Sequence, residues 1–315
     1  MKKSSKVSEA YAEIERLGRG PLTPEVVARI KSAIEGKTGL VVSKAVEVAA
    51  DNGLQQLVPE MLDAFGRFVD DGAELDKSCL AKTTIVKALN KFEYLGGTIF
   101  LAGARYVQYN GLEDTAIGLR SECALALARI VHPEASFVLT DLLVDSQMSV
   151  RVAAVKALTH LGAPESEVLL RLKIHAGDKT EVIGECFLGL MTMAPTRSLD
   201  FVARYLDHVD GTIAESAALA IGASHLPEAL EALLRLWRRN PGARQALLLP
   251  IALIRNDAAF DHLLGVVRSA DARLAVEAIE SLRLFSAPQY VDRLRDVVET
   301  RAEPSISHRF AHEFG

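Results

Sequence analysis

Apolar residues recur along the chain in one short phrase. Similar copies are TIVKALNKF at 84–92, AAVKALTHL at 153–161 and LAVEAIESL at 274–282. In the middle copy Ala154, Leu158 and Leu161 are spaced i, i+4 and i+7, which places them on one face of an α-helix. The phrase therefore predicts an amphipathic helix wherever it occurs.

The last strong apolar residue of the phrase marks a nearly constant period. Its spacings are 38, 31, 32, 31, 32 and 26 residues, for Leu89, Leu127, Leu158, Leu190, Ile221, Leu253 and Ile279. Prolines keep the same period, at Pro133, Pro164, Pro195, Pro227 and, two units on, Pro288. Because proline is tolerated in the first turn of a helix, each proline predicts the start of a second helix. Each unit is thus predicted to be two helices joined by a turn.

The packing of these units is predicted from their small and apolar positions. Small residues recur early in the first helix, at Cys123, Ala154, Cys186, Ala217 and Ala275, where they allow a neighbouring helix to approach. The apolar face of the second helices is assigned to Phe137, Val138, Leu142, Val168, Leu169 and Leu172. A pair of short helices cannot bury both faces alone. We therefore predict an all-α protein, a right-handed α-solenoid of stacked helix pairs without a sheet.

The period and the two-helix unit resemble HEAT repeats. The stretches AAVKALTHLGAPES (153–166) and AALAIGASHLPEALEALLRL (217–236) are similar to the HEAT-like repeats first named from bilin lyases. The resemblance implies the fold and leaves the activity open, since the family includes scaffolds, adaptors, lyases and a few DNA glycosylases. The predicted organisation is an N-terminal segment and helical cap (1–37), about eight HEAT-like units (38–303) and a C-terminal tail (304–315).

Three acid–base pairs, with the acid six residues before the base, also fit this resemblance. They are Asp76 and Lys82, Asp114 and Arg120, and Asp145 and Arg151. In HEAT repeats such pairs form a structural ladder, in which the acid accepts from the amides at the helix start and the base bridges to it. The alternative is a row of anion-binding cations.

One spacing exceeds the others by about seven residues, and we assign the excess to an insertion at about 93–114. Insertions in repeat proteins tend to lie on one face, which is often the binding face. The predicted binding residues are Arg105, Tyr106, Gln108 and Tyr109, with Lys173 as a neighbour across a groove. The alternative is a long helix whose aromatic side chains fill the gap between unequal repeats.

Composition and charge exclude several classes of protein. The longest apolar run, Ala246–Ile254, has nine residues, about half of a membrane span, and no secretory signal follows the first lysines, so the expected location is cytoplasmic. Three cysteines far apart in the sequence predict neither disulfides nor a zinc site. The acid of a metalloprotease helix is missing between His308 and His312, and we predict no metal and no cofactor.

Taken together, these observations predict a non-enzymatic scaffold or adaptor that grips a protein or peptide partner on a concave face formed by the second helices. The alternative is a nucleic-acid-binding or DNA-repair solenoid, for which Trp237 among arginines is the best sign. The net charge of -5 disfavours nucleic acid, because phosphate neutralisation requires a basic surface. A bilin lyase is a third possibility, for which the sequence shows no catalytic constellation. The oligomeric state is left open.

Overall fold

The computed structural model describes residues 2–315, with the side chains of residues 6–315 other than residue 73. The first half contains helices α1 (Lys2–Gly18), α2 (Pro24–Ile34), α3 (Gly39–Asp51), α4 (Val58–Asp70), α5 (Gly72–Leu75), α6 (Leu80–Lys91), α7 (Gly97–Ala104), α8 (Ile117–Arg129), α9 (Ala135–Leu142) and α10 (Met148–Leu161). The second half contains α11 (Pro164–Ala176), α12 (Thr180–Met193), α13 (Pro195–Ala203), α14 (Gly211–Ala223), α15 (Pro227–Arg239), α16 (Arg244–Leu253), α17 (Asp257–Ser269), α18 (Ala272–Leu282), α19 (Pro288–Arg301) and α20 (Pro304–Phe314). Two short strands, β1 (Tyr109–Asn110) and β2 (Glu113–Asp114), and 3-10 turns at Gln55–Leu57, Arg204–Asp207 and Pro241–Ala243 complete the described elements.

The chain forms two compact units, Met1–Ala163 and Pro164–Gly315. In unit 1 a first layer consists of α1, α3, α6, α8 and α10, each packed on the next, and a second layer of α2, α4, α7 and α9 covers it. In unit 2 the first layer is α12, α14, α16, α18 and α20, and the second is α11, α13, α15, α17 and α19. Each unit is therefore a stack of helix pairs, and the prediction of an all-α solenoid is confirmed. None of the described helices combines the length and the apolar character that crossing a membrane demands.

The repeating apolar positions form the core of the first layer. Of the seven period-marking residues all are fully buried except Leu253, which is half-buried. In α16 the equivalent buried residue is Ile251, two positions earlier. The five small residues predicted between neighbouring helices are also fully buried. The three cysteines lie buried as free thiols, and burial raises the pKa of Cys79 to about 11.

The predicted apolar face is confirmed on α9, where Val138 and Leu142 are buried, whereas α11 turns a different face to the core than the sequence pattern predicts. Phe137 is 74% exposed, and Val168 and Leu172 on α11 are 65% and 62% exposed. The core side of α11 instead carries Leu170 and Ile174. A shift of two positions rotates a helix by about 200°, so an error of two residues in register exchanges the inner and outer faces.

The proline positions and the C-terminus complete the comparison with the sequence. Helices α11, α13, α15 and α19 begin at the predicted prolines, whereas α9 begins two residues after Pro133. The segment 304–315, expected to be a tail, forms α20, which packs on α18 and fully buries Ile306. Within the expected insertion, Gly97–Ala104 is α7, an ordinary second helix. The extra residues are therefore 105–116, and they contain the strands that the sequence did not predict.

Candidate protein-binding hairpin

The residues between α7 and α8 form a β-hairpin. Tyr109 pairs with Asp114 and Asn110 with Glu113, which leaves Gly111 and Leu112 as a two-residue turn. Gly111 has a φ of 64°, whereas Leu112 keeps a negative φ. A positive φ at the first turn position is the requirement of a type II′ turn, and glycine meets it without steric cost. The local sequence thus specifies a tight hairpin.

The hairpin tip, residues 109–113, and the adjoining Val107 carry exposed apolar side chains. Leu112 is 102% exposed, Tyr109 59% and Val107 54%. Single exposed apolar side chains are common on protein surfaces, but three within six residues of one hairpin form a concentrated apolar group. This group is the candidate site.

The base of the hairpin is held by Gln108, whose side chain is only 7% exposed. Its amide nitrogen donates to the main-chain oxygen of Asp76 at 2.8 Å and to Thr115 Oγ1 at 3.2 Å. Its amide oxygen accepts from Lys82 Nζ at 3.2 Å and from the Tyr106 hydroxyl at 2.9 Å. Gln108 is therefore occupied by internal hydrogen bonds and is closed to a partner at the surface.

Beneath Gln108 lies a fully buried ammonium group, Lys82 Nζ. It donates to Asp76 Oδ2 at 3.1 Å and to the main-chain oxygen of Phe68 at 3.1 Å, and it lies 5.1 Å from the centre of the Tyr106 ring. Asp76 also accepts from the main-chain nitrogens at the start of α6, Ala81 at 3.1 Å and Lys82 at 3.2 Å. The buried charge is thus fully paired, as burial requires.

A second pair ties the far strand of the hairpin to the first layer. Arg120 NH2 lies 2.7 Å from Asp114 Oδ2, and Arg120 NH1 donates to the main-chain oxygen of Tyr106 at 3.2 Å. Burial opposes ionisation of Asp114, but the hydrogen bonds from Arg120 and from the Ala116 amide, with the arginine charge, outweigh it and lower the pKa of this carboxyl. Both strands of the hairpin are therefore anchored in buried polar groups.

The acid–base pairs are not equivalent in geometry. Asp145 accepts from Arg120 Nε at 2.8 Å, so Arg120 bridges two successive repeats. Asp145 Oδ1 also accepts from the main-chain nitrogen of Gln147 at 2.8 Å. Arg151 donates to the main-chain oxygens of Asp145 and Ser146, at 2.8 and 3.1 Å. These contacts stabilise the start of α10 and connect α8 to the segment that precedes α10.

The predicted binding residues have different environments. Arg105 pairs with Glu134 at 3.2 Å with both side chains about half exposed, and Tyr106 lies half-buried against Gln108. Lys173, in unit 2, forms an ion pair with Asp178 at 2.6 Å and is mostly buried. Tyr109 alone among the five combines exposure with membership of the hairpin tip.

Sequence reasoning missed two exposed apolar residues of the hairpin, Val107 and Leu112. The signal was present, because an apolar residue beside Asn110-Gly111 is rare in a solvated turn, where polar residues dominate. Trp237, the sign for nucleic acid, is 8% exposed and packs edge-on against His262, with a centroid distance of 4.9 Å. Its ring is therefore covered by the protein.

The paired layers place this chain among HEAT-like helical repeat proteins in fold. No protein-family model and no curated protein matches the sequence. The complex of CpcE and CpcF of phycocyanin lyase from Nostoc is similar in structure, with 17% identity, a TM-score of 0.41, and coverage of 72% of this chain and 92% of that one. An engineered protein has 15% identity and a TM-score of 0.37, with coverage of 99% of this chain and 95% of that one. Human deoxyhypusine hydroxylase in complex with glycerol has 16% identity and a TM-score of 0.32, with coverage of 79% of this chain and 98% of that one.

These similar structures correct one prediction. The sequence predicts a non-enzymatic scaffold or adaptor, with a nucleic-acid-binding solenoid as the alternative. Two of the similar structures are described as enzymes, a lyase and a hydroxylase, and they contradict that expectation. The physical reason is that a repeat fold sets the arrangement of helices, whereas activity depends on side chains that the repeat pattern leaves free.

Proposed function

We propose that this chain binds a partner protein through the hairpin tip. The observation that carries the proposal is the exposure of Leu112, Tyr109 and Val107 above a base that is buried and fully hydrogen-bonded. Exposing three apolar side chains to water is unfavourable, and a partner that covers them recovers that free energy.

The anchoring supports binding because it limits the entropy that association would cost. A loop held in its bound conformation loses less freedom when it binds than a mobile loop does. Tyrosine adds a large apolar area with a polar hydroxyl, which is why it is frequent among residues that dominate binding energy.

The partner that fits this tip is a protein with an apolar pocket. The tip projects convex side chains, whereas sites for small molecules are concave and bury most of the ligand. A protein substrate of an enzyme and a stable binding partner both satisfy this requirement, so the proposal is independent of whether the chain is catalytic.

A closer relation to the bilin-lyase type of HEAT-like repeat and a location in the cytoplasm belong to the same proposal. The stretches 153–166 and 217–236 support the first. Three buried free cysteines support a reducing compartment.

The test uses a photo-crosslinking amino acid at position 112, with the same amino acid at position 209 as the matched control. Val209 is 99% exposed, so both positions are equally open to solvent. We expect a protein cross-linked from position 112 and not from 209.

The affinity of that protein is then measured for Leu112→Ser and Tyr109→Ser, with Val209→Ser as the control. We expect the two hairpin variants to weaken binding about tenfold or more and the control to leave it unchanged. Equal cross-linking at 112 and 209, or equal affinities for all variants, would show that the tip is not the binding site.

A further inference from the structure

Leucine recurs at one position of three successive first-layer helices in unit 2. Leu188 on α12, Leu219 on α14 and Leu249 on α16 each stand two residues before a fully buried residue; these are Leu190, Ile221 and Ile251. Leu188 and Leu249 are 42% and 46% exposed, and Leu219 is half-buried. We call these three side chains the leucine row. In unit 1 the same position holds Lys87, Leu125 and Lys156, so a continuous apolar row is a feature of unit 2.

Leu249 of the leucine row lines a groove with a volume of about 890 Å3. Its walls come from α14, α16, α18 and α20, and Leu249 and Val276 supply apolar surface within it. A smaller cleft of about 240 Å3 between α12 and α14 is lined by Leu188. Two members of the row, Leu249 and Leu188, therefore line cavities of unit 2.

Most charges in the groove neutralise one another. Gln245 Nε2 donates to Glu277 at 3.0 Å, and Arg273 donates to Gln245 at 3.3 Å and lies 3.6 Å from Glu277. On the other side of the groove Arg309 pairs with Glu280 at 2.7 Å.

Glu215 on α14 differs from these charged groups because its carboxylate is not neutralised by a neighbouring side chain among the groove residues that the structure describes. It is exposed and lines the groove, and among the described side chains no ion pair is found for its carboxylate. The groove therefore presents one uncompensated negative charge beside an aliphatic surface.

The spacing of the helices selects the conformation of an occupant. Packed helices lie about 8–10 Å apart. A polyproline II segment advances about 3.1 Å per residue with three residues per turn, so side chains on one side repeat about every 9 Å. In a β-strand successive side chains alternate, so every third residue faces away. An α-helix returns a side chain to the same face after seven residues, about 10.5 Å, which exceeds the spacing of the packed helices. The polyproline II segment therefore matches that spacing best, with one side chain for each helix from the same side.

We propose that the leucine row and the adjoining part of this groove, at Leu249 and Glu215, bind an extended protein segment in the polyproline II conformation, with an aliphatic residue at every third position and a lysine or arginine that pairs with Glu215. The aliphatic side chains pack on the leucine row, one for each helix. The site lies in unit 2 and uses no residue of the hairpin tip.

The probe is a fluorescent ten-residue peptide with leucine at every third position, one arginine, and proline and serine elsewhere. A second peptide carries glutamate in place of the arginine, and a third has the first composition in scrambled order. Fluorescence anisotropy measures the affinity of each peptide for the full chain. We expect the first peptide to bind at least about fivefold more tightly than the other two.

Three variants locate the binding. Glu215→Lys should weaken the first peptide at least about fivefold and remove its advantage over the glutamate peptide, and Leu249→Ser should weaken it to a similar degree. Both positions are exposed, so the melting temperature should not change, which a thermal melt checks. Leu112→Ser should leave the affinity unchanged, which separates this site from the hairpin.

Equal affinity for the three peptides, no binding of the first one, or an affinity unaffected by Glu215→Lys and Leu249→Ser would overturn the proposal. If the peptides bind as expected while position 112 cross-links no protein, the proposed function at the hairpin is wrong and the groove proposal is supported. If position 112 cross-links a protein while the peptides do not bind as expected, the hairpin proposal is supported and the groove proposal is wrong.

Discussion

Arg120 reaches Asp114 at 2.7 Å through NH2 while its Nε lies 2.8 Å from Asp145. Asp114 belongs to the hairpin, and Asp145 precedes the first helix of the next repeat. One guanidinium therefore connects a local insertion to the stack of helices. This is possible because the planar arginine fork presents donors in two directions at once. The contacts at Arg120 and Lys82 explain how a short hairpin can be held firmly on a helical protein.

Replacement of Arg120 by alanine should lower the free energy of unfolding of unit 1 by about 3–5 kcal/mol, because it leaves two carboxylates without their partner. Arg105→Ala is the matched control, since Arg105 forms an exposed ion pair with Glu134, and such pairs contribute about 0–1 kcal/mol. Urea denaturation measures both. If both variants lose a similar free energy of unfolding, the buried Arg120 contacts contribute no more to stability than an exposed ion pair.

The pH dependence of stability should reveal Asp114. Its pKa is lowered in the folded chain, so its contribution is present above the unfolded pKa of about 3.9 and is lost as the pH falls through the folded pKa. The difference in unfolding free energy between the wild type and Asp114→Asn should thus be largest near neutral pH and shrink below about pH 4. Denaturation at several pH values measures the difference. A difference that stays constant with pH would contradict this role.

Gly72 is expected to resist substitution because the polar cluster of Gln108, Tyr106 and Lys82 leaves no room for a methyl group. A Cβ there would lie 2.6 Å from Gln108 Oε1, 2.6 Å from the Tyr106 hydroxyl and 2.8 Å from Lys82 Nζ. Gly72→Ala should cost about 1–3 kcal/mol, through overpacking and displaced hydrogen bonds.

Gly66→Ala is the control for this experiment. Gly66 lies inside α4, and the space that an alanine methyl group would fill there is open, so alanine should stabilise the protein by about 0.5–1 kcal/mol. Thermal melts of both variants give the comparison. If Gly72→Ala is also stabilising, the cluster is looser than its distances indicate.

The register of the helices is tested by two leucines. Leu158 is fully buried, so Leu158→Ala should cost about 2–5 kcal/mol. Leu172 is 62% exposed, so Leu172→Ala should change stability by no more than about 0.5 kcal/mol. Denaturant unfolding distinguishes the two values. A large loss at Leu172 would mean that α11 turns the face predicted from its sequence toward the core.

The sequence alone determined the helix pairs of this protein and the core of the first layer. Leu127, Leu158 and Leu190 recur with one period. Because burial of a helix face depends on local spacing, this pattern predicts the buried face from the sequence alone. The outer and inner faces of α11 could not be read in this way. Both Val168 with Leu172 and Leu170 with Ile174 have helical spacing, and only contacts with neighbouring helices select between them.

The candidate site was visible in the sequence as an interrupted period, which located the insertion but not the role of each residue in it. Tyr106 and Gln108 read as binding residues because of their type, yet the structure turns them inward to Lys82. That outcome depends on groups at positions 72, 76 and 82, which lie next to Tyr106 and Gln108 only in the folded chain. Local spacing carries information over one or two helical turns, whereas the position of a hydrogen-bond partner far along the chain, such as Asp76 for Gln108, is decided by the tertiary fold.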